Sequence, residues 1–219
     1  MQCSNAGSAN QLASRRGARG FTLVEILAVL AITGLLSGMA IAFYGRQKDR
    51  AYATQTTATM GELTQLIAVY ETRKGGPPPS SLATLKIRCD NDWNEGIEAL
   101  YAALHHKDFA EGRNVTERWL GNVDEDETAT SFHRDGVTRL LEVLDGWGNP
   151  IAYINPADFG KPMTYRMGEV FDPSAEEQVV TAQKSAVTGV TANADSYQLI
   201  SAGEDRTFGT EDDVTNFKK

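Results

Sequence analysis

The chain has 219 residues, 41% of them apolar and 23% charged, a composition that excludes a disordered chain. Its net charge of −8 becomes −11 once Arg15, Arg16 and Arg19, the only charges of residues 1–20, are set aside. A body that acidic excludes general binding to nucleic-acid phosphates. Of the two cysteines, Cys3 lies in the basic leader, and a lone Cys89 excludes an internal disulfide framework or a multi-cysteine zinc site.

After the leader the chain turns apolar: Phe21-Thr22-Leu23-Val24-Glu25-Ile26-Leu27 and onward to Tyr44, with Glu25 the only charge. The uncharged residues 26–44 are 19 in number, roughly 28 Å as a helix, close to the roughly 30 Å hydrocarbon core of a bilayer. Three ordinary readings compete. A cleaved secretory signal has the basic start and an Ala40-Ile41-Ala42 match, but its apolar core is shorter. A twin-arginine signal needs a hydrophobic pair where Gly17-Ala18 follow Arg15-Arg16. A plain signal anchor leaves Glu25 unexplained, because a carboxylate in an apolar helix is costly unless paired. A cut between Gly20 and Phe21 would create an α-ammonium four residues before Glu25, within reach of its own chain or of a neighbour. Gly34 and Gly38 form a GxxxG pair, either a close helix–helix contact or the ordinary glycine content of membrane helices.

Arg16-Gly17-Ala18-Arg19-Gly20, then Phe21-Thr22-Leu23-Val24-Glu25 and an apolar helix, resembles the class III signal of type IV pilins and type II secretion pseudopilins. The resemblance implies cleavage after Gly20 by a prepilin peptidase and N-methylation of Phe21. It also implies pairing of Glu25 with the amine of a neighbouring subunit in a filament.

Residues 46–73 continue as helix. Met60, Leu63, Leu66, Ile67 and Tyr70 recur at spacings that place them on one core-facing stripe. Gly75-Gly76 and Pro77-Pro78-Pro79 end it. Residues 97–105 predict a short helix with Ile97, Leu100, Tyr101 and Leu104 on one face, and residues 137–144 a second short helix or a strand. Between them Asn122, Asp124 and Asp126 alternate in an acidic loop that either holds a cation or is solvated. Asp90, Asp92 and Asn94 share the spacing but lack the glycine and closing glutamate of an EF-hand loop. His105 and His106 are expected at the surface, and the Asn114-Val115-Thr116 sequon is discounted.

Asp145-Gly146-Trp147-Gly148-Asn149-Pro150 is dense turn chemistry. Short strands are predicted at residues 151–154, 163–167 and 197–201, the last alternating, with a long polar loop over 168–196. In the closing segment, Asp205, Asp212 and Asp213 bracket a glycine-containing turn. Hard cations take such converging carboxylates with backbone carbonyls; the alternative is a solvated acidic tail.

Asp145-Gly146-Trp147-Gly148-Asn149-Pro150, Tyr197-Gln198-Leu199-Ile200-Ser201-Ala202-Gly203-Glu204-Asp205 and Phe208-Gly209-Thr210-Glu211-Asp212-Asp213-Val214 resemble the C-terminal half of the major pseudopilins. That resemblance implies a structural Ca²⁺ held by Asp205 and by Asp212 or Asp213, with Ser201 and its neighbours adding carbonyls. It covers residues 15–79, 145–154 and 197–217, leaving 80–144 and 155–196 as inserted material.

The expected fold class is α+β, a long N-terminal helix packed on a small antiparallel sheet. The expected divisions are a leader 1–20, a membrane or filament-core helix 21–45, an amphipathic helix 46–74, an inserted helical and loop region 75–145, and a C-terminal sheet with its acidic loop 146–219. No nucleophile elbow, P-loop, zinc-protease or dinucleotide motif is present, and the expected role is structural, not enzymatic. The resemblance implies a single-pass inner-membrane protein with a periplasmic C-terminal part that assembles into a homo-oligomeric filament. Implied partners are minor pseudopilins, an inner-membrane assembly platform and the peptidase, with no nucleic acid. The alternatives are a type IV or minor pilin for adhesion, motility or DNA uptake, or a membrane-anchored periplasmic binding module.

Overall fold

The computed structural model describes residues 21–105, 115–126, 139–168, 176–185 and 187–217, with the backbone alone at 40–43, 45 and 46. Gly20, His106, Asn114 and residues 137–138, all singled out above, lie outside the described residues.

Helix α1 covers Leu23–Lys74. The chain divides into two compact units, Met1–Gly45 and Arg46–Lys219. Over fully described residues alone, no helix is long and apolar enough to cross a membrane. The uncharged sequence run passes through positions 40–43, where only the backbone is given.

In the second unit the stripe on α1 is core: Met60, Leu63, Leu66 and Ile67 are buried, and Tyr70 packs partly buried beside them. The helix ends where glycine lets the chain turn. Gly75 takes φ +84 and its N–H donates to the Glu71 carbonyl at 2.8 Å. The prolines that follow dock the chain onto the sheet. The Pro78 carbonyl accepts from the Tyr153 hydroxyl at 2.5 Å and from Asn155 Nδ2 at 2.7 Å.

Helix α2 covers Glu95–His105. A single buried face was expected, but every residue from Gly96 to His105 is buried. The reason is that α2 lies between two apolar clusters. Ile97, Leu100 and Leu104 join the main core with Leu63, Ile67, Tyr153 and Leu199, while Ala99, Tyr101 and Ala102 meet Leu82 and Leu140. His105 is likewise corrected: it is buried, with its ring stacked on Tyr101 at 4.0 Å between centroids.

Among the described residues the strands form three small antiparallel sheets, not one. β1 (Leu120–Gly121) pairs β2 (Glu142–Val143). β3 (Ala152–Ile154), β6 (Gln198–Ser201) and β7 (Val214–Thr215) form the central sheet, with β6 in the middle and Tyr153 opposite Leu199. β4 (Met163–Met167) pairs β5 (Glu176–Val180), a strand inside the segment expected to be loop. β6 does not alternate; all four residues are buried. Its Gln198 is covered by the chain around 183–192, donating to the Gln183 and Ala192 carbonyls at 2.9 and 2.6 Å.

The turn after β2 seats directly on α1. The Gly146 N–H donates to Thr56 Oγ1 at 2.9 Å, and a Cβ there would lie 2.7 Å from Tyr52 Cα and 2.9 Å from its carbonyl carbon. Backbone cannot yield as a flexible side chain does. Gly146→Ala is therefore expected to destabilise the protein by about 1–3 kcal/mol, read as a lowered urea midpoint with unchanged slope. An unchanged midpoint would place the turn elsewhere.

Candidate functional site

Two places carry the sequence-derived site residues. The first is the head of α1. Thr22 and Glu25 form a reciprocal cap: the Thr22 N–H and hydroxyl donate to Glu25 Oε2 at 2.7 and 2.8 Å, and the Glu25 N–H donates to Thr22 Oγ1 at 3.2 Å. Thr-x-x-Glu ahead of an apolar run is a capping signature legible in the sequence, which the expected pairing with an amine did not include. Glu25 thus has hydrogen-bond donors within its own chain, all on one oxygen. Below it the helix surface is apolar and uncovered. Phe21, Leu23, Val24, Leu27, Leu30 and Leu35 are among the exposed side chains, and Phe21 is 80% exposed. A Cβ at Gly34 or Gly38 would meet nothing within 4 Å, so both glycines face open space in the single chain.

The second place is the C-terminal acidic loop. Gly203, at φ +67, turns the chain out of β6. The loop closes on itself through Asp212, whose Oδ2 accepts the Asp205 N–H at 3.1 Å and whose Oδ1 accepts the Thr210 hydroxyl at 2.5 Å. Partial burial alone would raise the Asp212 carboxyl, but the Thr210 hydroxyl and the Asp205 N–H outweigh it and hold the group below the ordinary aspartate value. Asp205 Oδ1 accepts the Thr207 N–H at 2.8 Å. Asp213 turns another way: its Oδ2 accepts from Gly209 N–H at 2.9 Å and Gln183 Nε2 at 2.8 Å. The Ser201 hydroxyl donates to Asp145 Oδ2 at 2.6 Å. Asp145 is buried, which raises its carboxyl above the usual range despite the donors from Ser201, Asn149 and Trp147.

The structure therefore ties Asp212 to the Asp205 backbone N–H, turns the Asp205 carboxylate to Thr207, directs one Asp213 oxygen to Gln183 and Gly209, and commits the Ser201 hydroxyl to Asp145, so the three loop aspartates do not gather as one group. Among the described residues, the carboxylates that gather within 4.8 Å of one another are Glu98, Asp124 and Glu142, all buried. The expectation of a solvated acidic loop around 122–126 is thus corrected: Asp124 and Asp126 are buried. Asp90 and Asp92 are exposed and stand apart from this group.

Comparison with known proteins agrees with the head of the helix. Residues 15–41 match the prokaryotic N-terminal methylation motif. The chain is 22% identical over 199 residues to the type II secretion system core protein G of Escherichia coli, covering 91% of this chain and 90% of that protein. It is 24% identical over 154 residues to the core protein G of Pseudomonas aeruginosa, covering 70% and 85%. No solved structure matches it. The chain is a pilin-like protein with an N-terminal methylation motif, distantly related to the major pseudopilin of type II secretion.

Proposed function

We propose that the chain is a structural subunit, not an enzyme, of a type II secretion system, and that it polymerises through α1 into a periplasmic pseudopilus. The observation that carries this reading is the N-terminal part of α1: an apolar surface from Phe21 to Met39 that is exposed among the described residues, headed by a carboxylate. Such a surface is stable only in lipid or against copies of itself. In this reading the peptidase cuts between Gly20 and Phe21, Phe21 is N-methylated, and the subunit waits in the inner membrane with its acidic part in the periplasm. Assembly then places the Phe21 amine of one subunit beside Glu25 of the next, with Gly34 and Gly38 allowing close approach. Minor pseudopilins and an inner-membrane platform are the partners this assembly calls for. The Asp205–Asp212 loop holds a structural calcium ion that fixes the end of the central sheet.

The intact mass of the protein recovered from membranes tests the first step. The expected chain begins at Phe21 and is about 14 Da heavier than the unmodified sequence, one methyl group. A chain that keeps its leader, or one cut after Ala42, overturns the reading. A Gly20 variant that blocks the cut should leave the full-length chain in the membrane and no filament.

A further inference from the structure

We propose that Glu98, Asp124 and Glu142 form a second cation site, an oxygen-only pocket for a calcium-class ion inside the inserted region and separate from the C-terminal loop. The three residues come from three elements: Glu98 from α2, Asp124 from the loop after β1, and Glu142 from β2. Glu98 and Glu142 are fully buried and Asp124 is 6% exposed, yet one oxygen from each lies within 4.8 Å of the others.

The second observation is what the protein leaves undone. Both oxygens of Glu98 and Oδ1 of Asp124 are buried with no hydrogen-bond partner among the described residues. Buried carboxylate oxygens are almost always hydrogen-bonded, and an orphan costs about 1–3 kcal/mol, more when charged.

The other oxygens are held in place. Asn94 Nδ2 donates to Asp124 Oδ2 at 3.3 Å and to Glu142 Oε1 at 3.1 Å, and the Val123 N–H donates to Glu142 at 3.1 and 3.3 Å. The Asn94 amide is itself oriented, because its Oδ1 accepts the Arg166 N–H at 3.0 Å. Both Glu142 oxygens thus accept a hydrogen bond, while Glu98 and Asp124 Oδ1 keep theirs unspent, and donors of this kind orient metal ligands from an outer shell. Three carboxylates offer up to six oxygens and no nitrogen or sulfur, which selects a hard ion. Mg²⁺ dehydrates reluctantly and keeps several waters, whereas Ca²⁺ accepts mono- and bidentate carboxylates, so a buried all-carboxylate set favours Ca²⁺. A bound ion would tie α2 to the β1–β2 hairpin across 44 residues of sequence from Glu98 to Glu142.

The inference does not rest on the secretion reading, and its test separates the two cation sites. Bound calcium per chain is measured on the full chain in detergent, by equilibrium dialysis with the metal alone, for the native protein, for Glu98→Gln, and for a loop variant with Asp205→Asn and Asp212→Asn. Glu98→Gln is expected to bind one calcium fewer than native, and the loop variant to keep the triad ion, with calcium favoured over magnesium by about tenfold or more. Melting in chelator supplies a readout that a purely structural glutamate would fail. The neutral amide removes a buried acid, so chelated Glu98→Gln should melt no lower than chelated native protein, while losing most of the calcium-induced rise from this site. Native calcium stoichiometry in Glu98→Gln, no bound ion in the loop variant, or an equal loss of melting temperature with and without calcium would each overturn the site. If Glu98→Gln fails to fold, the ion count of the loop variant decides alone.

Discussion

Glu25→Ala is expected to abolish filament assembly while leaving the chain cleaved, membrane-inserted and folded. In the proposed filament the Phe21 amine of one subunit lies in an apolar bundle, and Glu25 of its neighbour is its counter-charge. Removing one partner of a buried pair leaves the other uncompensated, at a cost of about 3–5 kcal/mol per contact. That is a factor of roughly 10² to 10³ or more in the affinity of each subunit for the growing end. The competing account is local, since Glu25 also caps its own helix through Thr22. Loss of such a cap costs about 1 kcal/mol and frays one turn. Thr22→Ala separates the two, because it removes the hydroxyl that caps the helix and leaves Glu25 free to meet an amine. Sheared pili from cells overproducing each variant should contain the Thr22→Ala protein and lack the Glu25→Ala protein. Equal loss in both would reduce Glu25 to a capping residue. Normal filaments from Glu25→Ala would remove the assembly role altogether, and with it the discrimination from a membrane-anchored module that never polymerises.

How legible these features were depends on whether a residue's fate is set by its near neighbours. Met60, Leu63, Leu66 and Ile67 repeat at helical spacing, and Gly75 followed by prolines stops a helix by local sterics, so both could be read from the sequence. Strand β5 could not. Glu176, Glu177 and Gln178 carry no apolar pattern, and the strand exists because β4 offers it an edge. The burial of Asp124 and Asp126 was hidden for the same reason: a run of acids reads as solvated until tertiary packing covers it. A signal for the buried triad was nevertheless present. Glu98 stands alone in Ile97-Glu98-Ala99-Leu100, and Glu142 stands alone in Leu141-Glu142-Val143. A single acid inside an apolar run is the same anomaly as Glu25. At Glu25 the run is too long for the acid to reach water, whereas Glu98 and Glu142 also fit the polar positions of a short helix and a strand, which hides their burial. Ser201 shows the opposite limit. Its place beside the acidic loop, with its carbonyl as the expected donor to a cation, is read from sequence, but the partner of its hydroxyl is Asp145, 56 residues away in the chain, which no local pattern shows.

Chelation should lower the melting temperature of the full chain in detergent, and Asp212→Ala should remove part of that response but not all of it. An ion that binds only the folded state adds about 2.7 kcal/mol when its concentration is a hundredfold above Kd. For a chain of this size that corresponds to roughly 5–10 °C. Asp212 is the sharper choice over Asp205 because its two oxygens close the loop, accepting the Asp205 N–H and the Thr210 hydroxyl. Asp205→Ala leaves that closure in place and removes one carboxylate, so it should weaken calcium binding with little change in the chelated protein. Asp212→Ala should do both, lowering the chelated melting temperature as well. The calcium response that survives in Asp212→Ala belongs to Glu98, Asp124 and Glu142, and adding Glu98→Gln should abolish it. A chelator response unchanged by Asp212→Ala would take calcium away from the C-terminal loop and leave the inserted region as its only holder. A response abolished by Asp212→Ala alone would do the reverse.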